Sequence, residues 1–106
     1  MIVTQVFPYE RSISYPLLKE AQDMAKVKRL GDVSPAMLEG FSAAKVLVEG
    51  LRRAGAKPDR NKIQLSLEGI RKLDIGGLEV SYSPEDHTGL DFADLSIIGI
   101  DGKFKR

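Results

Sequence analysis

The sequence predicts an α/β fold, or α+β if the chain stands alone, as a single unit over residues 1–106. The order is one strand, three helices, then two or three C-terminal strands. Three observations carry this. The chain opens in a β-branched run, its middle has helical apolar spacing with helix-end residues, and its last third alternates apolar and polar residues. A chain of 106 residues can build one modest core but not two.

"MIVTQVF" has strand composition and is stopped by Pro8. "SYPLLKEAQDMAK" then offers Ser14 as a cap, a proline for the first turn, and Leu17, Ala21 and Met24 at helical spacing. "VKRLGDV" carries basic residues into Gly31, as a helix end does. The second helix is punctuated at both ends, by Ser34 and Pro35 before it and Gly55 after it. Met37, Phe41, Ala44, Val48 and Leu51 form its expected inward face. Gly40, Ala43, Leu47 and Gly50 form a second face, with little bulk, that permits close packing. A third helix is expected behind Asp59, with Ile63, Leu67, Ile70 and Leu73 inward. "LEVSYS" alternates Leu78, Val80 and Tyr82 against Glu79, Ser81 and Ser83, "ADLSIIGI" reads as a further strand, and Asp101-Gly102 as a tight turn.

Composition removes several functions. Sixteen Lys and Arg against fifteen Asp and Glu leave a net charge of +1, so no global field draws the chain to nucleic acid or an anionic membrane. With no cysteine, there is no disulfide framework, thiolate zinc site or cysteine nucleophile. "MIVTQVFPYE" lacks the cationic start and apolar run of a signal peptide, and no apolar run is long enough to span a bilayer. Lys26, Lys28, Arg29, Arg52 and Arg53 sit near helix ends, where cations compensate the dipole.

The chemical candidate is "SPEDHTG", which holds the one histidine, His87, beside Glu85 and Asp86. Ser83, Pro84, Asp86 and Gly89 are turn-forming residues, so His87 is read as riding on a turn. No second imidazole or thiolate accompanies it, so neither a metal site nor a catalytic residue is expected, and no cofactor. "DIGGLE" enters a strand rather than a helix, which is not the setting of a phosphate loop; Gly76 and Gly77 are read as a flexible crossing.

Taken together, "TQVFP", "SPAMLEGFSAAKVLVEGLRRAG" and "LDIGGLEVSYSPEDHTGLDFADLSIIGIDGKF" resemble the C-terminal part of periplasmic solute-binding proteins of ABC transporters, of the branched-chain amino acid (leucine/isoleucine/valine-binding) type. The resemblance implies part of a two-lobed type I periplasmic binding protein fold that traps its ligand by lobe closure. Residues 1–75 then correspond to the end of the first lobe, and residues 76–106 to the last crossing and closing strands of the second, with Gly76 and Gly77 at the hinge. It places "SPEDHTG" in a closing hairpin.

The same resemblance implies a non-enzymatic transport role, with an amino acid or small carboxylate ligand and a membrane permease as partners of the full-length parent. The location is periplasmic or extracellular for the family. Ser34, Ala36 and Met37 are the candidate cleft residues, although a helix cap and core contacts account for them equally. Most of the pocket lies outside this chain, so the chain is expected to be incompetent to bind ligand alone. The alternative is an independent α+β module that associates with itself or another protein. Either way, strands deprived of lobe partners are expected to drive homodimer formation.

Overall fold

The computed structural model describes residues 1–9 and 14–105. Strand β1 (Ile2–Gln5) is followed by helices α1 (Pro16–Val27), α2 (Pro35–Ala54) and α3 (Arg60–Glu68). Four short strands follow: β2 (Leu73–Asp74), β3 (Glu79–Val80), β4 (Asp94–Ile98) and β5 (Phe104–Lys105). The expected order holds, with one strand more than predicted. Leu73 is in that extra strand rather than in α3, because the helix stops at Glu68 with Gly69 as its C-cap.

Two of the three helix starts are built as read. Ser34 Oγ accepts from the Met37 N–H at 3.1 Å with Pro35 in the first turn, and Asp59 Oδ1 accepts from the Lys62 N–H at 2.8 Å. Each satisfies a donor that a helix start otherwise leaves unmet. The start of α1 differs. Its N-cap is Tyr15 rather than Ser14, and the Tyr15 side chain makes no capping bond. The Leu17 N–H donates instead to the Gly76 carbonyl at 3.0 Å, so a turn distant in sequence caps this helix.

The core comprises Leu17, Leu18, Ala21, Ala25, Val33, Leu38, Ile70, Ile75, Leu78 and Val80. Leu17, Leu18, Leu38 and Ile70 are fully buried, each contributing about 1.5–3 kcal/mol of hydrophobic stabilisation. Leu17 and Ala21 face inward as expected, but Met24 is exposed and Leu18 and Ala25 complete the stripe. The face of α2 also differs from the expected one. Leu38, Ser42 and Gly50 are buried, Met37 and Phe41 are half-buried, and Val48 and Leu51 are exposed. More of α2 is apolar than its neighbours cover. Of the small residues, Gly50 makes the close approach: a Cβ there would lie 2.6 Å from Leu67 Cδ2 of α3, whereas one at Gly40 would meet nothing within 4 Å.

The strands form two antiparallel sheets, β2 with β3, and β1–β4–β5 with β4 central. The expected hairpin of the two late strands is not formed, since β3 pairs with β2 while β4 pairs with β1 and β5. Between them Leu90 and Phe92 pack on the core instead of continuing a ladder, and Phe92 meets Tyr15 edge to face at 6.4 Å. The expectation that β1 and β4 lack partners is also corrected, because each supplies the other's hydrogen bonds. The molecule is elongated, 50 × 32 × 21 Å, and among the described residues none of β1 or β4 belongs to the core.

Candidate functional site

Asp74, at the end of β2, accepts from the backbone N–H groups of Gly76 and Gly77 at 2.8 and 2.7 Å. Those two bonds, in that order, hold its carboxyl below the usual range. Both glycines have positive φ, 124° and 92°, and lie in the turn joining β2 to β3. A Cβ at Gly76 would sit 2.5 Å from the Leu17 backbone nitrogen, and one at Gly77 would sit 2.9 Å from Tyr15 Cδ1. The two expected hinge residues thus form a tight turn pressed on the start of α1. Movement of this turn away from α1 must break the Leu17–Gly76 hydrogen bond.

The three expected cleft residues are together at the start of α2. The Ser34 hydroxyl is engaged as the cap, Ala36 is exposed, and Met37 is half-buried. Met37 lines an apolar groove of about 260 Å³ between α1 and α2, with Ala21, Met24, Leu30, Val33 and Phe41. A second groove, of about 450 Å³, runs between α2, α3 and the 83–89 turn, over Val46, Ile63, Leu67 and Tyr82. Its rim carries Arg60, Gln64, Glu68 and His87.

The turn reading of "SPEDHTG" agrees with the geometry. Ser83 and Asp86 exchange backbone hydrogen bonds at 2.8 and 3.2 Å, and Asp86 Oδ1 accepts from the Thr88 N–H at 2.9 Å. The Thr88 N–H and then its hydroxyl hold the Asp86 carboxyl below the usual range. His87 is exposed, with Nε2 3.9 Å from Glu68 Oε1, an oxygen that accepts a hydrogen bond from Gln64 Nε2 at 2.8 Å. Sequence reading missed this link to α3, because nothing local to the turn signals where the helix lies. Among the described residues no group of three or more His, Cys, Asp or Glu could hold a metal ion, and no helix is long and apolar enough to cross a membrane.

The β1–β4–β5 sheet presents two unlike faces. Register pairs Ile2 with Ile97 and Thr4 with Leu95 on one side, and Val3 with Ser96 and Gln5 with Asp94 on the other. Ile2, Leu95 and Ile97 are 71, 59 and 52 % exposed, whereas Ser96 is buried and Val3, Gln5 and Ile98 are half-buried. Gln5 Nε2 is buried without a hydrogen-bond partner among the described residues.

No protein-family model and no curated protein matches the sequence. Solved structures do. The chain is similar, over 97 % of its length, to a substrate-binding periplasmic protein from Ralstonia solanacearum, with 30 % identity and a TM-score of 0.84. It is similar over 100 % of its length to a possible leucine/isoleucine/valine-binding protein from Rhodopirellula baltica SH 1, with 28 % identity and a TM-score of 0.86. An extracellular ligand-binding receptor from Verminephrobacter eiseniae ef01-2, at 22 % identity and a TM-score of 0.83 over 99 % of the chain, shares the fold. The chain spans only 30, 29 and 30 % of those three proteins respectively. All three are described as binding proteins or receptors, not as enzymes. The chain is therefore similar, throughout its length, to one part of a type I periplasmic binding protein of the substrate-binding receptor kind.

Proposed function

We propose that the chain is a piece of an extracytoplasmic solute-binding receptor for ABC transport, whose complete form captures an amino acid or similar small carboxylate by lobe closure and delivers it to a membrane permease. The observation that carries this reading is the match of the whole chain to a minor part of each binding protein. The ligand class draws on the leucine/isoleucine/valine-binding description of the Rhodopirellula protein. In this reading residues 1–75 and 76–106 belong to successive lobes, Ser34, Ala36 and Met37 border the cleft, and Gly76 and Gly77 lie at the last crossing.

The chain alone is proposed to hold no ligand. A zwitterion needs donors and acceptors around both charged ends, and an incomplete cleft leaves those groups in water or unpaired. The apolar lining of the α1–α2 groove beside Met37 supports this, since it offers an amino acid little to bond with. A second reading, a self-associating α+β module, is supported by the exposed Ile2, Leu95 and Ile97.

The test is a chimera in which this chain replaces the matched segment of the Rhodopirellula protein. Calorimetry with leucine, isoleucine and valine should give saturable binding by the chimera and no heat with the isolated chain. A folded chimera that binds none of them overturns the receptor reading, and micromolar binding by the isolated chain overturns its incompetence.

A further inference from the structure

The 83–89 turn is fixed at its base and tied at its tip by different kinds of contact. At the base, Arg71 Nη1 donates to the carbonyls of Glu68 and Ile70 at 2.6 and 3.0 Å, and also to that of Tyr82. The Tyr82 N–H donates to the Ile70 carbonyl at 2.9 Å, and the Lys72 N–H to Ser81 Oγ at 2.8 Å. A guanidinium stays protonated far above neutral pH and backbone amides do not titrate, so none of these bonds responds to mild acid. The tip reaches α3 through His87, whose Nε2 is 3.9 Å from Glu68 Oε1. His87 and Glu68 stand with Arg60 and Gln64 on the rim of the groove of about 450 Å³, so their contact bounds one side of its mouth.

Two carboxylates act on the imidazole. From α3 comes Glu68, whose side chain is only 12 % exposed. From the turn itself comes Asp86, whose carboxyl is held down first by Thr88 but also feels the His87 charge; Glu85 adjoins it in sequence. The cations are placed elsewhere: Arg60 is at the opposite end of α3, about 12 Å away along its axis, and the Arg71 guanidinium is engaged with carbonyls. Helix α2 presents uncharged Val46 to the groove. At 3.9 Å a neutral imidazole makes neither a hydrogen bond nor an ion pair with Glu68, whereas an imidazolium is attracted to it. We propose that His87 and Glu68 form a proton-operated latch on this groove. The imidazolium pairs with Glu68 and holds the tip of the turn on α3; the neutral imidazole lets the tip leave while Arg71 keeps the base in place. The pair needs His87 charged and Glu68 ionised, so the latch is closed between the ordinary titration ranges of the two groups, about pH 4.3 to 6.5, and opens as pH rises above that window. Proton uptake and closure favour each other, so mild acid tightens the turn. The latch lies within this chain and is independent of the receptor reading.

The test is amide hydrogen exchange of the full chain, followed by NMR at about pH 5.5 and about pH 7.5 and corrected for the intrinsic effect of pH on exchange. The Asp86 and Thr88 N–H groups, hydrogen-bonded within the turn, should be about two- to threefold better protected at the lower pH, the modest gain expected of an exposed pair. The Tyr82 and Lys72 N–H groups at the base should keep the same protection at both. Glu68→Gln and His87→Gln should each remove the difference at the tip while circular dichroism stays unchanged, and Glu85→Gln should leave it. Equal protection of the tip at the two pH values in the unsubstituted chain overturns the latch. So does a difference that survives Glu68→Gln, which would place the effect of acid within the turn, at Asp86.

Discussion

The helical half and the sheet half of this molecule are stabilised to different degrees. Around α1, α2 and α3, with β2 and β3, four side chains are fully buried and two helices carry their own caps. In the β1–β4–β5 sheet β4 pairs along all of β1 but with β5 only at Ile97 and Ile98, three apolar residues remain more than half exposed, and one amide donor has no partner among the described residues. Backbone pairing can close a ladder, but only a packed layer removes apolar surface from water, which is the larger favourable contribution. The difference marks where the chain covers its own apolar surface and where it does not.

The sharpest way to break the contrast is to truncate one residue on each side of it. Leu38→Ala should cost about 2–5 kcal/mol in a urea melt, since it empties a fully buried site between the helices. Ile97→Ala, half in water already, should cost a small fraction of that. Equal losses would mean that the sheet is packed as tightly as the helices.

Gly76→Ala should follow, at about 1–3 kcal/mol from backbone strain, plus the displacement of Leu17 that the new Cβ demands. Hydrogen exchange should show the first turn of α1 losing protection together with the β2–β3 turn. Independent exchange of the two segments would mean that the Leu17–Gly76 bond does not couple them. Ser34→Ala should cost about 1 kcal/mol by loss of a cap, with Ser34→Gly milder. A loss well above that would require a further role for the hydroxyl.

The smallest effect concerns acid. Arg52 and then Arg53 donate to the Glu49 carboxylate and lower its pKa from 4.5 to about 2. Because the folded value lies below the unfolded one, the unfolded chain takes up this proton first. The stabilisation is present above about pH 4.5 and is lost as pH falls toward 2. Glu49→Gln should reduce the loss of thermal stability across that window. The pair is on the surface, so the change should be slight and should shrink further in salt.

Much of the helical half was legible in advance because its signals are local. Ser34 and Asp59 cap within three residues of themselves, and Gly55 has the positive φ that ends α2. The alternation from Leu78 to Tyr82 likewise survives as buried and exposed positions. The face of α2 was not legible, because apolar residues on several sides of a helix do not say which side a neighbour will cover. The link between His87 and Glu68 was hidden for the same reason.

The sequence by itself determined where α2 and α3 begin, that Leu78 to Tyr82 alternate, that the middle of the chain is helical, and that "SPEDHTG" turns. Those choices follow from side-chain and backbone groups a few residues apart, whose steric and hydrogen-bonding preferences act before the chain is packed. Tertiary structure decided the rest. It gave α1 a cap from the Gly76 carbonyl, sent β4 to β1 rather than β3, and brought Gly50 against Leu67. Each of these depends on groups far apart in sequence, which meet only when the whole chain has found how its apolar surface is best covered.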